Sequence, residues 1–159
     1  MSVEDTQGTG ERWPDKRARA VLFAGANKLA KEDERVDPDA AADTGLAVRE
    51  LLFTDAEVRE DTADSKQNQI GYSGDCMQFA TLQPEGPGVA LGLWVGPEAV
   101  EPAKDEVGAV GDPNPFRSHF GWVRIQVGPG QDLEPLRSWV ERARAHAREQ
   151  KNAQEQTAL

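Results

Sequence analysis

The stretch Gly88-Val89-Ala90-Leu91-Gly92-Leu93-Trp94-Val95-Gly96-Pro97-Glu98 decides the fold. Val89, Leu91, Leu93 and Val95 alternate with Ala90, Gly92 and Trp94, the period of a strand with one strongly apolar face. Gly96-Pro97 ends that strand, because proline has no N–H for a ladder and glycine reaches dihedrals closed to other residues. No other segment of the chain is as apolar, which places this strand centrally in a sheet. Glu98 to Lys104 then reads as a short helical excursion.

On the N-terminal side, Gln83 to Gly88, with two glycines and two prolines, reads as a hairpin loop. Before it, Cys76 to Leu82 and Asn68 to Tyr72 are strands joined by the tight turn Ser73-Gly74-Asp75. On the C-terminal side, Gly108 to Pro115 is an irregular connection. Phe116 to Val127 contains the last strand, with Val123, Ile125 and Val127 inward and Arg124 and Gln126 outward. After the turn Gly128-Pro129-Gly130, Asp132 caps a final helix that buries Leu136, Trp139 or Val140, Ala143 and Ala147. Residues beyond Gln150 are expected to fray.

The N-terminal third has helical spacing. Trp13-Pro14 opens a helix that buries Ala18, Val21, Leu22, Gly25 and Leu29 and runs to about Ala30; Gly25 weakens it by up to about 1 kcal/mol against alanine. After a charged linker, Lys31 to Val36, Asp37 caps a second helix with Pro38 in its first turn, and Thr44, Val48, Leu51 and Leu52 form its buried stripe to about Phe53. Thr54-Asp55-Ala56-Glu57 is a capping box and predicts a further short helix or turn to about Ala63. The fold class is therefore α+β: an antiparallel sheet of four to five strands covered on one face by N-terminal helices and a C-terminal helix. One domain spans 13–150, between a disordered N-terminus, 1–12, and a frayed tail, 151–159.

Composition narrows the function. In 159 residues, 28 acids outweigh 18 bases for a net charge of −10, which opposes a nucleic-acid or anionic membrane partner. Six lysines among abundant Ala, Gly and Asp give a halophilic-like acidic composition, and most of the charge reads as solvation. The single cysteine, Cys76, precludes an internal disulfide and a thiolate zinc cluster. The polar N-terminus is unlike a signal peptide and no apolar run is long enough to span a bilayer, so a cytoplasmic protein is expected.

The second half of the chain, roughly Val48 to Ala147, resembles the YdhG-like family of small bacterial domains. The likeness rests on Leu91-Gly92-Leu93-Trp94-Val95-Gly96-Pro97-Glu98, on the strand His119 to Val127, and on Asp132-Leu133-Glu134-Pro135-Leu136 opening the C-terminal helix. At Asp64 to Asn68 the chain lacks the aromatic residue and glycine that family members often carry. The resemblance implies a mostly uncharacterised, non-enzymatic domain, in a family that includes a frataxin-like iron chaperone.

Three constellations are candidates for chemistry. Glu57, Glu60, Asp61 and Asp64 would share one ridge if the capping box starts a helix, and at most two of them could share a weakly held, exchangeable iron or other divalent cation; no resident cofactor is expected. The simpler reading is a solvated acidic surface, and the same holds for Glu32, Asp33, Glu34, Asp37 and Asp39. Cys76 and His119, on neighbouring expected strands, form a weak nucleophile–base pair; Gly71-Tyr72-Ser73-Gly74-Asp75 lacks the last glycine of a nucleophile elbow. Trp94 and Trp122 point away from the apolar faces of adjacent strands and, with Phe120 and Arg124, would form an aromatic patch on the opposite sheet face. That patch is either a surface for a small molecule or protein or a second small core under the N-terminal helix; the chain is also a candidate homodimer.

Overall fold

The computed structural model describes residues 12–64, 68–75 and 77–158, apart from the side chains of 62–64, 157 and 158. The elements run α1 (Asp15–Ala30), α2 (Pro38–Leu52), β1 (Arg59–Asp64), β2 (Gln69–Gly74), β3 (Met77–Glu85), β4 (Gly88–Trp94), a 3-10 turn (Pro97–Ala99), α3 (Val100–Val107), β5 (Val110–Gly111), α4 (Pro115–His119), β6 (Trp122–Val127) and α5 (Glu134–Ala158). The six strands form one antiparallel sheet in the order β1-β2-β3-β4-β6-β5, with β4 inside as its apolarity demands. No helix among the described residues is long and apolar enough to cross a membrane.

Cross-strand register sorts the side chains. Leu82, Leu91 and Ile125 lie in line across β3, β4 and β6, beside Ala80–Leu93–Val123 and Pro84–Val89–Val127. These residues share one core with Leu22 of α1, Val48 and Leu52 of α2, and Leu136, Val140, Ala143 and Ala147 of α5. All three long helices therefore cover the same face. Phe79 joins that core through a register shift between Tyr72 and Ser73, where Tyr72 faces Ala80 but Ser73 faces Gln78; the extra residue of this bulge is an inward aromatic.

Helix starts follow the expected chemistry. Asp37 accepts from the backbone N–H groups of Asp39 and Ala40. Gly25 faces Pro84, where a β-carbon would lie 2.9 Å from the proline ring, so its cost in helix propensity is offset by close approach of α1 to the sheet. Pro84 is tolerated within β3 because β2 stops pairing at Ile70–Leu82 and needs no donor from it.

Five expectations need correction. Of the helix or turn expected from Thr54 to about Ala63, the turn forms and is shorter: Asp55 Oδ1 accepts from the Glu57 N–H in an Asx turn, and the chain enters β1 at Arg59. The loop expected over Gln83 to Gly88 contracts to Gly86-Pro87, with Glu85 paired to Gly88. Gly86 has φ +56 while proline fixes its own φ negative, which leaves the glycine-first two-residue turn. The irregular connection contains β5, making six strands rather than four to five, and Phe116 lies in α4 rather than on the approach to β6. The C-terminal helix continues past Gln150 to Ala158, with Lys151 donating to Glu155 one turn on at 2.8 Å. Arg12, placed in the disordered N-terminus, is held by Glu50 at 2.7 Å and lies over Phe53; residues 1–11 are outside the described residues.

Two ion networks tie the layers together. Arg49 of α2 and Glu60 of β1 are both fully buried and joined by two hydrogen bonds, Nε to Oε2 at 2.6 Å and Nη2 to Oε1 at 2.8 Å. Glu60 also accepts from Tyr72 Oη and the Trp13 N–H, while Arg49 donates to the Trp13 carbonyl and to Asp15. Burial opposes the Arg49 charge, but the Glu60 bond and charge outweigh it and push the guanidinium above its ordinary value. Burial and the adjacent carboxylate push the Tyr72 phenol well up. At the other end, Arg144 of α5, almost fully buried, donates to Asp55 and Asp75 and clamps the helix to two turns; its hydrogen bond holds the Asp75 carboxyl below its ordinary value.

Removing the buried member of the pair leaves Arg49 with the exposed Asp15 as its carboxylate partner, so Glu60→Gln is expected to cost about 3 kcal/mol in urea unfolding. Tyr72→Phe, which deletes one neutral donor, is expected to cost about 1–2 kcal/mol.

Candidate functional site: an aromatic groove on the open sheet face

The strand parity that buries Leu91 and Leu93 sends Trp94 to the opposite face, and the pairing of β4 with β6 sets Trp94 directly across from Trp122. The two indoles stack with centroids 6.2 Å apart and planes within 5°. Trp94 Nε1 donates to the Phe120 carbonyl at 2.8 Å, and the edge of its ring meets His146 of α5 at 4.7 Å. The N-terminal helices lie on the core face, so the reading in which they cover these tryptophans does not hold.

Besides His146 of α5, what reaches the pair is α4. Asn114 Oδ1 caps its first turn through the Phe116 N–H, with Pro115 at the first helical position. One turn of helix then places Arg117 over the Trp122 ring at 3.9 Å and leaves Phe116 71% and Phe120 46% exposed, their rings 5.0 Å apart. Trp122 is buried at 7% exposure, whereas Trp94 is half-buried. Gln78, Trp94, Asn114, Phe116, Arg117, Phe120 and Trp122 line a groove of about 420 Å³.

A backbone junction holds the groove's two sides in place. The Gly121 carbonyl accepts from the N–H groups of both Val95 and Gly96, joining the exit of β4 to the entry of β6. Gly121 has φ +94, and a β-carbon there would lie 2.2 Å from the Gly96 carbonyl carbon; glycine is required on both counts. The motif Leu91 to Glu98, which carries the resemblance noted above, is thus the end of the central strand and the turn that positions Trp94.

The other candidate residues are dispersed. Glu57 is exposed in a turn, Glu60 is buried in the Arg49 pair, Asp61 is exposed on β1, and the Asp64 side chain is outside the described residues. Alternation along β1 sends Glu60 and Asp61 to opposite faces, so these two share no ridge; among the described residues no group of three or more His, Cys, Asp or Glu could hold a metal ion. Asp33 pairs with Arg35, Asp37 caps α2, and Asp39 pairs with Arg19, which engages three members of the second acidic set in local structure. His119 ends α4 and packs on Phe120 instead of lying on a strand, and Cys76 is outside the described residues. Arg124 shares the open face but pairs with Glu85 at 3.0 Å, beside the groove and not in its lining.

Compared with known proteins, the chain matches no family model, no curated protein and no solved structure. Phe116, Asn114, Arg117 and Gln78 are the groove residues that sequence reasoning missed. Asn114-Pro115 is a helix-start signal, and Phe116 and Phe120 four apart would have marked one face of that helix.

Burial holds His146 below its ordinary imidazole value of 6.5, with Glu98 and Glu149 opposing and Arg142 adding to the shift. The unfolded chain takes up that proton first, so this contribution to stability is complete above 6.5 and is lost as pH falls from there through the lower folded value. Urea unfolding at about pH 7.5 and about pH 5 is expected to show a drop in acid that is smaller in His146→Gln.

Proposed function

We propose that this chain is a binding protein whose aromatic groove docks a segment of another protein. The observation that carries the reading is the exposure of Phe116 and Phe120 beside the Trp94–Trp122 stack, on a sheet face that α1 and α2 leave open and that α5 touches through His146 at the Trp94 edge. Tryptophan, phenylalanine and arginine are the side chains that concentrate at interface centres, because they bury much area with little conformational freedom to lose. The volume of about 420 Å³ falls within the range of small-molecule sites, but such sites enclose most of their ligand. A groove with Phe116 71% exposed encloses little, and its shape suits an apolar side chain presented by a larger partner. The amides of Gln78 and Asn114 offer donors to the partner's backbone.

Selection of displayed random peptides against the purified chain tests this. Enriched peptides are expected to carry aromatic or large aliphatic residues, to shift tryptophan emission, and to lose about tenfold or more in affinity on Phe116→Ser/Phe120→Ser. Both phenylalanines are solvent-facing, so the double variant is expected to keep the wild-type melting temperature. Equal enrichment on the double variant sinks the proposal.

A further inference from the structure

We infer that the segment docked in the groove carries a carboxylate beside its apolar side chain, and that this carboxylate pairs with Arg117. The inference rests on the docking role proposed above and supplies the partner's chemistry.

Charge is distributed unevenly along the chain. Between Asp112 and Asp132 there is no Asp or Glu, although the protein carries 28 acids and a net charge of −10. That interval holds α4 and β6, which form most of the groove, and its formal charges are the cations Arg117 and Arg124. The acids that meet these two arginines, Asp112 and Glu85, come from outside the interval.

Of the two arginines, Arg124 is already neutralised by Glu85 at 3.0 Å. Arg117 is not equally well served. Its acid, Asp112, lies 3.5 Å away, longer than the 2.7–2.9 Å or so of a strong charge-assisted hydrogen bond. The guanidinium carbon lies 3.9 Å from the centre of the Trp122 ring, a contact that stabilises the cation, and Arg117 is one of the residues lining the groove. Burial, with Arg124's charge adding to it and Asp112 opposing, holds Arg117 below its ordinary value. A cation in that position gains from a further anion. A carboxylate supplied by the partner would meet the planar fork of Arg117 while the neighbouring apolar side chain packs on Phe116 and Phe120. A polyanion such as a nucleic acid would bring its remaining phosphates against a surface of net charge −10, which a single carboxylate does not.

The test uses two capped peptides that differ only in charge, acetyl-Gly-Asp-Phe-Asp-Gly-amide and its Asn analogue, titrated into the full chain with backbone NMR shifts as the readout. The acidic peptide is expected to bind about fivefold more tightly at low salt, the size of a partly exposed ion pair, and the difference should shrink with added salt. Arg117→Gln is expected to abolish the preference, and Arg117→Lys, which keeps the charge over Trp122, to retain part of it. Equal affinity of the two peptides for the wild-type chain overturns the carboxylate inference and leaves the docking role standing. An acidic preference that survives in Arg117→Gln overturns the assignment to that residue. If neither peptide shifts the signals of Trp94, Phe116 and Phe120 at millimolar concentration, the docking role itself fails and takes this inference with it.

Discussion

A guanidinium and a carboxylate, both removed from water, hold the helical layer to the outer part of the sheet. Taking Arg49 and Glu60 out of solvent costs several kcal/mol per ion, and only full satisfaction of their hydrogen-bonding capacity offsets that. The surroundings provide it. Glu60 accepts from Arg49, Tyr72 and the Trp13 backbone, and Arg49 donates in turn to Glu60, Asp15 and the Trp13 carbonyl. The network joins α2, β1, β2 and the approach to α1, so it fixes register as well as layer spacing. A slip of β1 by one residue would turn Glu60 outward and leave buried Arg49 with the exposed Asp15 as its counter-charge.

That anchoring explains why the long helices share one face. The apolar parity of β2, β3, β4 and β6 gives the sheet a single core side, and Arg49 can reach Glu60 only if α2 lies there. Arg144 does the same for α5 at the opposite end, where Asp55 and Asp75 receive it from two turns. The remaining sheet face is left to shorter elements. The one-turn helix α4 shields Trp122 through Arg117 but leaves Trp94 half-buried and its own Phe116, with Phe120 at its end, exposed, and these residues line the groove.

The groove's geometry depends on a contact between two glycines far apart in sequence. Gly96 and Gly121 meet back to back, with the Gly121 carbonyl receiving both Val95 and Gly96, so the ends of β4 and β6 cannot drift apart. The indole stack is a consequence of that junction together with the strand pairing. His146 then supports Trp94 from α5, which links the aromatic face to the long helix.

Local chemistry was enough to specify much of this. Period-two alternation in Val89 to Val95 and Val123 to Val127 determined two central strands, their inward faces and the outward placement of Trp94 and Trp122; Asp37-Pro38 and Asp132 determined where helices begin. These signals are legible because they depend on neighbours within a few residues. Tertiary structure decided the rest. Thr54 to Glu57 satisfies the pattern of a capping box, yet β1 wins because its pairing with β2 and the burial of Glu60 against Arg49 outweigh one marginal helical turn. Without that helix, Glu60 and Asp61 lie on opposite faces of a strand and not on one helical ridge. The groove, likewise, required knowing that the helices stack on the other face and that α4 folds back over Trp122, facts set by contacts between residues distant in the chain, for which a single sequence carries no local sign.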